Sequence, residues 1–327
     1  MVSGNDLVLK MYFTLILSFA IGFGIIYVLL LYLGMGFSFI VIFALAFFAL
    51  EWYISPHIIG MASKLHYISD DEYPQLHSIV VGLARSANVP VPRIAIAPTK
   101  EPNAFVFGRT RKSATLVVHE GLLPMLDIDE LKAVLAHEMG HLRHNDVVVM
   151  TLVAFIPMLA FMLAQNILWA GMFGVENKGN SSYIFLFGIL AFVVYFIAEL
   201  LMLSLARARE SYADEYSARS TKKPESLASA LYKITARNVK STAASQNATV
   251  ARTLYIVDFF SADKDVKELK AHFEEVKAML PNANINALLE DAKGRHNTAF
   301  NILNSMFATH PPAYRRMIDL AQIKRSL

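Results

Sequence analysis

The stretch "AVLAHEMGHLRHND" spans residues 133–146 and sets His137 and His141 four positions apart, with Glu138 between them. On a helix, residues four apart share a face. Two imidazoles so placed can grip one tetrahedral divalent ion, and the intervening carboxylate can deprotonate a water held there. The chemistry this points to is metal-assisted hydrolysis. The chain has only ten histidines, so a chance fit to H-E-x-x-H is the weaker explanation, the competing one being a solvated helix face.

A hydrolytic ion needs a third protein ligand and one open position. His119, Glu120, His144, Glu210, Asp214, Glu215 and His310 are the candidates. His144 follows His141 too closely and suits the helix end, while His119 and Glu120 close a strand and suit a turn. "RESYADEYSA" is better. Glu210 and Asp214 are again four apart, so one carboxylate can bind the metal while the other accepts from a ligand imidazole and fixes its tautomer. An exposed turn paired with Arg207 or Arg209 is the plainer alternative.

These residues must be positioned by the elements around them. Asp127 with Glu130 forms a capping box that marks the start of the His137 helix. Upstream, Asp71 to Ala87 has helical periodicity, and "RIAIA", "NAFVFG" and "SATLVV" read as short strands of a small sheet. After Ala206 the chain reads as helical. Val266, Leu269, Phe273, Val276 and Leu280 form one amphipathic face, closed by Pro281.

Hydrophobic residues make up 55% of the 327 and charged residues 17%, below the roughly 25% charge usual for soluble domains. No charge occurs from Met11 to Leu50, nor in 147–175 or 181–198. A span takes about 20 apolar residues, so four spans are expected: 11–33 and 37–55 around "LGMG", then two flanking "ENKGN". Pro157 predicts a kink, since lipid-buried helices tolerate proline. A cleaved signal peptide is disfavoured by the length of the first apolar region. The segment 56–146 and the "RARE" end carry the cations, which by the positive-inside rule lie in the cytoplasm. The expected parts are a hairpin (1–56), a first part of the hydrolytic domain (57–146), a second hairpin (147–206) and a helical remainder (207–327). The His137 helix would run straight into the third span.

A net charge of +3 is too small to argue for nucleic acid. The absence of cysteine removes disulfides, thiolate metal sites and a cysteine nucleophile.

"HEMGH", "RESYAD" and "ATHPPAYRRMIDL" together resemble the HtpX family of membrane zinc metalloproteases, relatives of the CAAX prenyl proteases, and "PNAFVFG" is similar to that family's Asn-Ala-Phe element. The likeness covers the order of spans and motifs over nearly the whole chain and is weakest at 240–300, which stays unassigned. It implies a mainly α integral membrane protein: four transmembrane helices plus a cytosolic α+β zincin-like (gluzincin) metalloprotease domain with a small β-sheet. It also implies one Zn2+ per chain, held by His137, His141 and Glu210, with Glu138 as catalytic acid/base and Asp214 behind the ligands. Quality control of membrane or misfolded proteins under stress is the implied role.

Further roles follow from the mechanism. His310 in "THPP" is the expected donor to the oxyanion, a helix-capping turn being the plainer alternative, and Arg316 is an expected substrate contact. Asn103 is expected to bond a substrate main chain, the "NAFVFG" strand receiving the peptide as an added strand. Glu199, eleven residues before Glu210 and ~16 Å along a helix, suits an interfacial acid paired with a lysine or arginine, a hydrated cavity below the metal being the alternative. The expected partners are polypeptides, membrane proteins among them, and the lipid bilayer. Competing readings are a narrow CAAX-type prenyl protease, disfavoured by only four spans, and a non-enzymatic zinc-binding membrane adaptor, disfavoured by the presence of Glu138. A transporter is disfavoured by spans almost empty of ionisable groups.

Overall fold

The computed structural model describes residues 37–173, 181–242, 273–281, 310, 311 and 313–327. The expected first span, "ENKGN", Val266 and Leu269, and most of 240–300 lie outside the described residues. The chain divides into two compact units, residues 56–147 with 207–327 and residues 3–55 with 148–206.

The first unit is built on a four-stranded mixed sheet. Its strands are β1 (His66–Tyr67), β2 (Arg93–Ala97), β3 (Ala104–Phe107) and β4 (Thr115–His119), in the order β1-β2-β4-β3. β2 runs parallel to β4, with Ala95 opposite Val117, and β3 runs antiparallel to β4, with Phe105 also opposite Val117. Alternation along the strands sorts the two faces. Ile94, Ile96, Leu116 and Val118 join the main core, while Ala95, Ala97, Phe105, Phe107 and Val117 form a smaller cluster with Ile59 and Leu65. Only β1 was missed from sequence, being two exposed polar-tipped residues.

Helices cover the main-core face. α1 (Phe37–Ala62) precedes the sheet, and α2 (Pro74–Ala87) contributes Leu76, Val80 and Leu83. α3 (Ile128–Arg143) starts at the Asp127 capping box, with the Glu130 amide donating to Asp127 and the Asp127 amide to Glu130, both at 2.9 Å. Glu130 is held again from α6 (Pro224–Thr242), where Ser229 Oγ and Lys233 Nζ each donate at 2.6 Å. Residues 133–140 of α3 are all buried, so this helix is enclosed rather than half-exposed. α7 (Phe273–Met279) supplies Val276 and Met279 to the core, and α8 (Ala313–Ser326) supplies Met317 and Leu320.

α3 does not run on into the next helix as the sequence suggests. It ends at Arg143; the His144 amide closes on Gly140, and Asn145 adopts a left-handed backbone (φ 58°) before α4 (Asp146–Phe173) begins. Asparagine is among the few non-glycine residues that enter this region at small cost. The chain therefore turns between His141 and Asp146.

In the second unit, α4 and the apolar part of α5 (Ser181–Thr221) pack through Ala164, Ile167 and Ala191. They close tightly at Gly188, where a Cβ would stand 3.0 Å from the Leu168 amide nitrogen. Among the described residues, one helix is long and apolar enough to cross a membrane, α5 from Tyr183. Its flanks expose Tyr183, Leu186, Phe187, Leu190, Val193 and Phe196.

Candidate metal centre

α3 and the polar end of α5 meet at a small-residue contact. A Cβ on Gly140 would lie 3.1 Å from Ala213 Cα and 3.2 Å from the Tyr216 ring, so glycine permits the approach. Ser217 Oγ donates to the Ala133 carbonyl at 2.6 Å and pins the two helices together. The contact brings Glu210 and Asp214, one helical turn apart, against the two histidines.

Three side-chain atoms converge. His137 Nε2 lies 3.2 Å from His141 Nε2 and 3.5 Å from Glu210 Oε2, and His141 Nε2 lies 3.3 Å from Glu210 Oε1. Ligand bonds of ~2.0–2.2 Å at tetrahedral angles set ligand atoms ~3.3–3.5 Å apart. The triangle fits one such ion. Among the described residues this is the single group of three histidine or acidic side chains close enough to hold one.

The donor chemistry agrees with the spacing. His137 Nδ1 is 2.9 Å from Asp214 Oδ1, and His141 Nδ1 is 2.6 Å from Asp146 Oδ2. Each Nδ1 therefore carries its proton toward a carboxylate, leaving both Nε2 lone pairs facing one point. Arg316 Nη2 also stands 3.4 Å from His137 Nδ1, but the shorter carboxylate contact decides that tautomer. Two lone pairs at 3.2 Å repel unless a cation sits between them. Glu210 Oε2 is buried without a hydrogen-bond partner beside them, an acceptor in the same need.

Glu138, next along the helix, is 4% exposed. Burial raises its carboxyl above the usual range, which suits a group that takes up and returns a proton. Burial would also raise Asp214, but the Arg316 guanidinium holds it below its ordinary value. His310 places Nε2 3.4 Å from Glu210 Oε1, and burial lowers it to about 4. It is a neutral imidazole at pH 7, able to donate one N–H.

Arg316, expected at a substrate contact, is 1% exposed and donates from Nε and Nη2 to Asp214 at 2.7 and 2.6 Å, with Nη1 3.6 Å from Glu210. A guanidinium so enclosed and doubly bonded acts on the carboxylates of the centre. Asn103 is buried at the head of β3, where its carbonyl accepts from the His119 amide at 2.9 Å. His119 turns Nδ1 to the Glu101 carbonyl (2.9 Å), and His144 packs edge-on to Tyr212, its centroid 3.9 Å away. Neither belongs to the triangle. Asp146 was not foreseen, nor was Arg209, which donates from Nη2 to Asp146 Oδ2 at 2.7 Å.

A buried His-Glu-x-x-His helix, joined by a glutamate from a second helix and backed by a small mixed sheet, is the arrangement of a metallopeptidase. Comparison with known proteins agrees: the chain belongs to peptidase family M48, whose profile matches residues 70–324, and it is a protease. Curated relatives include a protease HtpX homolog of Methanothermobacter thermautotrophicus, 39% identical over 233 residues (70% of this chain, 87% of that protein). Another, from Thermoplasma acidophilum, is 32% identical over 320 residues, 94% of each chain. Among solved structures, Ste24p of S. mikatae matches with a TM-score of 0.54 at 18% identity, covering 95% of this chain and 67% of that one, a likeness of fold.

Proposed function

We propose that this protein is a zinc-dependent endopeptidase of the cytoplasmic membrane surface that hydrolyses membrane or misfolded polypeptides. The observation that carries the reading is the triangle of His137, His141 and Glu210, spaced for one tetrahedral ion. Two imidazoles and a carboxylate, with no thiolate in the chain, suit zinc in a hydrolytic site. His137, His141 and Glu210 would hold such an ion, which would supply Lewis acidity to a carbonyl and a water at that point.

The chain's own residues do the rest. Glu138 accepts the proton of the attacking water and delivers it to the leaving amine, the work of a carboxyl raised by burial. His310 donates its N–H to the oxygen that gains charge. β3 lies at the edge of the sheet among the described strands, and α3 packs against it. A peptide laid along it gains main-chain hydrogen bonds beside the metal centre, Asn103 serving the start of that strand.

Membrane association is supported by the apolar, outward-facing flanks of α5. Four spans, with the metal centre on the cation-rich cytoplasmic side, follow from the uncharged runs and the positive-inside rule. Substrates are then polypeptides presented at the bilayer. The test is Glu138→Gln in the full-length protein: it retains zinc and loses cleavage of an unfolded membrane protein. Equal cleavage by parent and variant would assign the activity to a contaminant and the chain to a non-catalytic role.

A further inference from the structure

His141 has a carboxylate behind it that no ligand motif supplies. Asp146 is five residues on; along an unbroken helix that places it ~140° around the axis, out of reach. The left-handed Asn145 breaks the helix and returns Asp146 to His141, with Oδ2 2.6 Å from Nδ1. The same oxygen accepts from Arg209 Nη2 at 2.7 Å. Asp146 is 4% exposed and Arg209 7%. Arg209 directly precedes Glu210, so one turn of α5 presents the third metal ligand and also the cation that holds the carboxylate behind the second.

An acidic residue opening a helix has an ordinary explanation, favourable interaction with the helix dipole. The geometry argues for more. Asp146 Oδ2 is engaged by His141 and Arg209, and Oδ1 has no hydrogen-bond partner. Buried carboxylate and buried guanidinium are instead spent on one imidazole nitrogen.

Resting on the zinc reading above, we infer that Asp146, held by Arg209, is a positioning residue of the metal centre: it keeps the proton of His141 on Nδ1 and aims Nε2 at the ion. Partners behind a ligand histidine typically change metal affinity by about 10–100-fold when removed.

The test uses the full-length protein in detergent, with zinc affinity measured by competition against a chromophoric chelator and the visible spectrum recorded with cobalt in place of zinc. Asp146→Ala is expected to weaken zinc by about 10–100-fold and shift the cobalt bands. Asp146→Asn, which keeps shape and loses charge, should do so to a smaller extent and decides the matter if the alanine variant does not fold. Arg209→Met should weaken zinc several-fold, and Arg209→Lys should recover part of that loss. Parent-like affinity and cobalt spectrum in both Asp146 variants, even with a lowered Tm, would overturn the pairing and leave Asp146 a helix-end residue. A parent protein that takes up neither ion would overturn the metal centre itself, and the pairing with it.

Discussion

The two histidines of the centre are supported by the same three-part arrangement, made in different ways. Behind His137 stand Asp214 and Arg316, joined by two hydrogen bonds and drawn from α3, α5 and α8. Behind His141 stand Asp146 and Arg209, joined by one, with Asp146 Oδ1 and Arg209 Nε and Nη1 left without partners. His137 is sealed at 2% side-chain exposure, while His141 retains 16%. One support is saturated and assembled from distant parts of the sequence. The other begins with a local turn that returns Asp146 to His141, borrows its cation from α5, and is incompletely bonded. A buried charge is stable only when its bonds are made, so the first is the rigid anchor of the site and the second the softer side.

That contrast is open to experiment. The largest effect should come from Arg316→Ala. Breaking a buried ion pair leaves an uncompensated charge and costs about 3–5 kcal/mol, here with Asp214 and Glu210 both losing their cation. Denaturant unfolding should show a loss of this size, together with loss of zinc; a change below that of Arg209→Met would reverse the ranking of the two supports. Next is removal of the ion. A ligand present at 100 times its Kd stabilises the fold by about 2.7 kcal/mol, so a strong chelator should lower the unfolding midpoint in the parent. The shift should be smaller in Asp146→Ala, whose weaker site has less to lose. The smallest effect belongs to Asn145. Asn145→Gly should be nearly neutral, whereas Asn145→Val places a β-branched residue in the left-handed region at about 1–2 kcal/mol. It should also weaken zinc, through Asp146, without touching Asp214. Unchanged zinc affinity in Asn145→Val would show that the turn is not what aims His141.

What could be read in advance follows the same division. The i,i+4 spacings of His137 with His141 and of Glu210 with Asp214, the Asp127 capping box and the alternation of "RIAIA" are periodic signals, and periodicity survives into structure whenever the element is regular. Asp146 was illegible because its role depends on a break that helical spacing does not contain. The left-handed preference of asparagine, followed at once by an aspartate, was the one local hint. Arg316 was visible as a cation near the site, but its bonds to Asp214 were not. Nothing in the order of residues shows that α8 buries it against a carboxylate on α5. Gly140 was legible only as part of a motif; its physical reason, the 3.1 Å approach of Ala213, needs both helices in place.

The dependence on α8 also has a consequence in time. A ribosome delivers His137, His141, Glu210 and Asp214 before it delivers Arg316, because the helix bearing that guanidinium is the last of the described elements to be made. Until it docks, Asp214 lacks the two hydrogen bonds it accepts from that guanidinium, so the support behind His137 is completed by the final helix described.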